Sequence, residues 1–276
     1  MARLELGPIG ASIEVNGRDG YAADAVALEK LGFSTIWLPG GQLATMDPIT
    51  EILRATTRIG VGSAILAAEA FDAATVAAGF AAIEAAHPGR FIAGLGGGHG
   101  PRPLAAMGAY LDELDAATPP VPASARVLAA LGPRKLELAR DRSAGAVPML
   151  VTPEYTAQAR AVLGSGPVLS IQQFVAVDQD AERVRAAARV PLGFLAGVGG
   201  YAANFRRMGF AESDVAGLGD RLVDAMVPWG DADAVAARVT EHLDAGADQV
   251  TLAPLTTGTS APALDQLRLL AERLIG

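Results

Sequence analysis

The chain contains no cysteine, two lysines and three histidines among 276 residues, and aromatic side chains make up 5% of it. Without thiols it has no disulfide, no thiolate metal ligand and no cysteine nucleophile. No apolar run reaches the roughly 18 residues that cross a bilayer. The opening MARLELGPIG lacks the basic and then apolar pattern of an export signal, so a cytoplasmic protein with no membrane partner is expected. Basic runs are missing as well. The 22 Lys and Arg against 30 Asp and Glu leave a net charge of −8, which argues against a nucleic-acid partner. No GxSxG elbow occurs, no paired carboxylates suit a hydrolase, and no His or carboxylate pair in the strand-end loops stands at zinc-ligand spacing, so no metal is expected.

What is present is apolar and alternating. Hydrophobic residues make up 51% of the chain, enough to fill a sizeable core. Eight β-favouring runs can be read: Glu5 to Ile13, Phe33 to Leu38, Arg58 to Leu66, Arg90 to Leu95, Arg126 to Leu131, Ala146 to Val151, Val168 to Val177 and Gln249 to Ala253. A helical run follows each. Asp47-Pro48, Asp72, Thr152-Pro153 and Asp231 mark helix starts, by a capping side chain, a proline at the first position, or both. This order predicts one (β/α)8 TIM barrel domain over residues 1–276, α/β in class, with a partly helical insertion at about 190–229 between the seventh and eighth strands. An open doubly wound sheet is the rival; its GxGxxG after the first strand is absent.

In such a barrel the reacting face is at the C-terminal ends of the strands. The loops there carry few ionisable groups: Glu69, His99, Arg102, Arg134, Glu154 and Asp178. The most informative of them follows RFIAGL, where Gly96, Gly97 and Gly98 precede His99. Glycine lets a flat ring or a phosphate approach the backbone, and a histidine there can act as an acid or base near neutral pH. A flexible turn is the plain alternative. With so little acid–base equipment, the protein is expected to lend shape to a cofactor that carries the chemistry. Gly132-Pro133 and Thr152-Pro153 open helices directly after strands and could hold a phosphate, though ordinary capping accounts for each equally well.

The series TRIGVGSAIL, AAIEAAHPGRFIAGLGGGHG, RVLAALGPRKLELA, LVTPEYTAQARAVLG and DRLVDAMVPWGDADAVAARVTEHLDAGADQV resembles the luciferase-like monooxygenase superfamily over nearly the whole chain. More narrowly, it is similar to the actinobacterial oxidoreductases that use the deazaflavin coenzyme F-420. HPGRF with the glycine-rich strand end is the most specific piece. The resemblance implies a homodimeric barrel that transfers hydride between F-420 and a small organic substrate; the alternative is the same barrel as an FMN-dependent monooxygenase or reductase, with or without oxygen. It places a non-prolyl cis peptide at Ser63-Ala64 behind the ring and Gly96, Gly97 and Gly98 against the ring. Gly132, Pro133 and Thr152 would lie near the phosphate, with His99 as the proton partner. Relatives often end the second strand with an acid and a histidine, whereas this chain reads Pro39-Gly40-Gly41. That departure leaves a catalytically silent, cofactor-binding paralogue as a further alternative. His87 and His242, near helix ends, are expected to be structural.

Overall fold

The strand ladders described in the computed structural model are parallel, and the last strand hydrogen-bonds to both the first and the barrel strand that precedes it, so the sheet closes on itself. The structure describes residue 4 and residues 6–97, 100–198, 200–258 and 262–276. In chain order, β1 (Ile9–Ser12) is followed by α1 (Tyr21–Lys30), and β2 (Thr35–Pro39) by α2 (Asp47–Ala55). The third barrel strand comes in two pieces, β3 (Gly60–Ala64) and β4 (Leu66–Ala67), before α3 (Ala73–Ala86). Next come β5 (Phe91–Gly96) and α4 (Pro103–Ala116), β6 (Arg126–Leu128) and α5 (Pro133–Arg142), and β7 (Gly145–Ala146) and α6 (Pro153–Leu163). β8 (Val168–Val177) leads into α7 (Ala181–Ala196), α8 (Tyr201–Arg207), α9 (Glu212–Gly217) and α10 (Asp220–Met226). The short β9 (Trp229–Gly230) precedes α11 (Ala232–Asp244), β10 (Gln249–Pro254) and α12 (Ala263–Leu274). With β3 and β4 taken as one strand and β9 lying outside the ring against β8, this is the eight-stranded (β/α)8 barrel.

The helix starts follow from local chemistry. The carboxylates of Asp72, Asp180 and Asp231 accept from the backbone N–H three residues on, giving α3, α7 and α11 their caps. The run Ala146 to Val151, expected as a strand, pairs only at Gly145–Ala146 and at a single bridge from Met149 to Gln172. Pro148 has no N–H to give to a ladder, and Leu150 takes a left-handed φ of 56°. The fifth expected run stops at Leu128 instead of Leu131.

Trp37, Ile92, Val127, Val147 and Val168 pack together in an apolar cluster. A polar network adjoins it at Gln249, whose side-chain oxygen accepts from Trp37 Nε1 at 2.9 Å and Ser170 Oγ at 3.1 Å, while its amide nitrogen donates to the Gly7 carbonyl at 2.8 Å. These groups are buried and satisfied, as an interior polar network requires.

HPGRF turns out to be scaffold. Arg90 stands just before β5, at the N-terminal end of the barrel, and its guanidinium donates to the carbonyls of Leu53, Thr56 and Ile59 at 3.0 to 3.2 Å. A cation is favoured there, because the α2 C-terminus leaves carbonyls unpaired. Nearby, the Glu29 carboxylate accepts from the N–H groups of Thr57, Arg58 and Ile59. Burial alone would raise its pKa, but these hydrogen bonds prevail and hold it at about 2.

The insertion has a core of its own. Ala188, Leu192, Phe205, Phe210, Val215, Leu222, Val223, Met226 and Val227 cluster with Leu150, and Met149, Phe174 and Leu255 from the barrel pack against them. This seats the insertion against residues at and beyond the C-terminal ends of β7, β8 and β10. α7 continues through Pro191 to Ala196, with Ala188 and Leu192 buried in that cluster. No described helix is long and apolar enough to cross a membrane.

Candidate functional site at the barrel mouth

β5 is buried at all six residues and delivers its end to the mouth between β4 and β6. Gly97 follows with φ 105°, a left-handed conformation that favours glycine. A Cβ on Gly97 would stand 2.2 Å from Glu69 Oε2, so the Glu69 carboxylate lies directly against this corner. The Gly97 carbonyl accepts from Lys135 Nζ at 2.9 Å, and that of Gly96 from the Ala68 N–H at 3.0 Å. Burial pushes the Lys135 ammonium pKa down, and the nearby Glu69 charge partly restores it. Gly98 and His99 lie outside the described residues.

The strand beside this corner departs from the expected geometry by one bond. The non-prolyl cis peptide is Ala64–Ile65, not Ser63–Ala64. Ser63 is fully buried, and its hydroxyl both donates to the Gly94 carbonyl and accepts from the Gly94 N–H, each at 2.9 Å, so it ties β3 to β5. The side chain that reaches the glycine-rich strand end is Ile65, whose Cδ1 would be 2.6 Å from a Cβ on Gly96. Nothing in the sequence singles out Ile65 for this place.

Pro39-Gly40-Gly41, where relatives place an acid and a histidine, also has a packing role. A Cβ on Gly40 would come within 1.4 Å of the Ile65 carbonyl oxygen, so no other residue fits beneath that backbone.

The starts of α5 and α6 are neighbours. Gly132 is the residue before α5, and Thr152 the residue before α6, with its hydroxyl accepting from the Tyr155 N–H at 3.4 Å. The Tyr155 hydroxyl reaches back to the Leu131 carbonyl at 2.8 Å and holds the two together. Burial drives the Tyr155 pKa well above the usual phenol range. A cavity of about 360 Å³ opens here, bordered by Thr152, Glu154, Tyr155, Arg207, Arg221 and Arg238 among others. Hydrogen bonding from Thr152 lowers the Glu154 pKa.

The remaining candidates part company. Asp178 is occupied: it accepts from Arg183, Thr257 and the Asp180 N–H, which hold its carboxyl well below the usual range. Arg102 and Arg134 are exposed. His242 is buried against Thr156, sharing a 2.8 Å hydrogen bond through Nδ1, as a structural histidine would be. Sequence reasoning missed Lys135 at the Gly97 corner and, on the cavity border, Arg207, Arg221 and Arg238. Lys135 had one signal, as one of only two lysines, placed directly after the Gly132-Pro133 turn. Arg207 had none, since the insertion brings it to Gly132 from 75 residues away.

Residues 19–120 match the family model for luciferase-like monooxygenase. That stretch resembles the luciferase-like monooxygenases. Over 98% of its length this (β/α)8 barrel superposes on 99% of a coenzyme F-420-dependent tetrahydromethanopterin reductase from Methanopyrus kandleri, with TM-score 0.72 and 16% identity. An F-420-dependent secondary alcohol dehydrogenase, solved with an F-420–acetone adduct, gives TM-score 0.70 and 15% identity, with 97% of this chain and 98% of that one covered. The oxygenating constituent of 3,6-diketocamphane monooxygenase from Pseudomonas putida, solved with FMN, gives 0.63 and 13%, over 99% and 98%. By sequence, no curated protein matches this chain.

Proposed function

We propose that this protein is an oxidoreductase that transfers hydride between coenzyme F-420 and a small organic substrate. The observation that carries the reading is the pairing, on one barrel mouth, of a bare-backbone strand end at Gly96-Gly97 with an anion-suited corner at Gly132 and Thr152. A flavin or deazaflavin has the matching parts, a planar ring and a phosphate arm. When bound, it would supply the hydride-accepting or hydride-donating carbon.

The chain's own residues would do the rest. Ala64, Ile65, Gly96, Gly97 and the neighbouring Gly98 would back the ring, and Ser63 would hold that wall in register through Gly94. Gly132, Pro133 and Thr152 would border the phosphate. Lys135 and Glu69 would fix the Gly97 corner. With Pro39-Gly40-Gly41 carrying no proton donor, His99 is the group we assign to the accompanying proton transfer.

The solved neighbours include both F-420-dependent structures and an FMN-bound one. A homodimer in the cytoplasm completes the proposal. Titrating the purified protein into F-420 and into FMN, with quenching of cofactor fluorescence as the signal, tests it. Saturable binding of F-420, tighter than that of FMN, is the expected result. Preference for FMN moves the assignment to the flavin-dependent branch, and binding of neither removes both.

A further inference from the structure

We propose that Arg207, aimed by the buried Asn204, is the residue that grips the anionic arm of the bound cofactor. The inference rests on the proposed function in one respect, that a ring with a phosphate arm docks at this mouth.

Arg207 closes α8, within the insertion, yet its guanidinium crosses to the barrel. Its Nη2 lies 3.9 Å from the place a Cβ on Gly132 would occupy, and it borders the same 360 Å³ cavity as Thr152. Arg207 Nη1 donates to Asn204 Oδ1 at 2.6 Å, and Asn204 is fully buried. A neutral amide can orient the guanidinium without cancelling its charge.

Its neighbours differ in that respect. Arg206 pairs with Glu212 at 2.5 Å, Arg221 with Asp214 at 2.9 Å, and Arg238 with Glu241 at 3.0 Å. Among the described residues, Arg207 has no carboxylate within ion-pair distance. It therefore presents a held guanidinium without an ion-pair partner to a cavity that Arg221, Arg238 and the Glu154 carboxylate also border. That arrangement suits a phosphate ester, which a planar guanidinium can bind through two parallel hydrogen bonds.

Two ligand pairs differ only in their charged arm: FMN against riboflavin, and F-420 against its phosphate-free deazaflavin chromophore. Arg207→Gln is expected to weaken the phosphate-bearing member of each bound pair by about tenfold or more, the scale of a charged hydrogen bond, and to leave the phosphate-free member within about twofold. Arg207→Lys, which keeps the charge but not the fork, should fall between. Equal loss for both members, or no loss for either, overturns the assignment and leaves the oxidoreductase reading standing. Failure of the unaltered protein to bind any of the four overturns both.

Discussion

Gly40 supports the carbonyl of Ile65 at a distance no side chain could share, since a Cβ on the glycine would stand only 1.4 Å from the oxygen. The glycine thus belongs to the wall on which the proposed ring would rest. Gly41, its neighbour, has open space around it. Gly40→Ala should therefore cost more than about 3 kcal/mol, since only backbone stands in the way and backbone cannot swing aside. Gly41→Ala should change stability by less than about 0.5 kcal/mol, as exposed substitutions do. Urea unfolding of the two variants checks the contrast, and equal midpoints would show that the Gly40 contact does not constrain the fold.

Lys135 couples the start of α5 to the strand end through its bond to the Gly97 carbonyl. Lys135→Met keeps most of the apolar stem and removes the donor. Losing a charged hydrogen bond of about 1.5–3 kcal/mol should relax the Gly97 corner and weaken F-420 binding by about tenfold, with Lys135→Arg recovering part of it. Fluorescence titration measures this. Unchanged affinity would separate Lys135 from the cofactor site.

His242 makes stability depend on pH. Burial first, then the Arg238 charge, lowers its pKa to about 4, against 6.5 in an unfolded chain, despite an opposing effect of Glu154. Between those values the unfolded state binds the extra proton, so stability is full above pH 6.5 and falls as pH drops towards 4. The loss approaches about 3 kcal/mol, at roughly 1.36 kcal/mol per pKa unit. His242→Gln, compared with the parent across that window, should flatten this part of the slope; an identical slope would show that His242 titrates normally.

His99 is the assigned proton partner. His99→Ala should lower turnover at least about tenfold, within the range general acid–base groups contribute, while leaving F-420 affinity unchanged. Steady-state rates beside a binding titration check both halves, and full turnover would remove His99 from the chemistry.

What could be read from the sequence was local. The alternation of strands and helices led to the barrel, the caps at Asp72 and Asp231 emerged where a short acceptor side chain stands three residues before a backbone donor, and Gly132 and Thr152 proved to sit at neighbouring helix starts. What could not be read depends on contacts between distant segments. Nothing near Ile65 says that Gly40 will lie beneath its carbonyl, and nothing near Arg207 says that it will reach Gly132. Pro148 is visible in the sequence, but the extent of its effect is not: without an N–H it reduces the expected sixth strand to two residues and a bridge. The HPGRF stretch, the most specific part of the resemblance, marks the strand that reaches the site, while its Arg90 works at the opposite end of that strand on the carbonyls of Leu53, Thr56 and Ile59.

The most direct test of the central claim is a crystal structure with F-420 bound. The ring should lie against Ala64, Ile65, Gly96 and Gly97, with the phosphate within hydrogen-bond reach of Thr152 or Arg207. A deazaflavin bound elsewhere, with the Gly97 corner and the cavity between Thr152 and Arg207 left vacant, would contradict it.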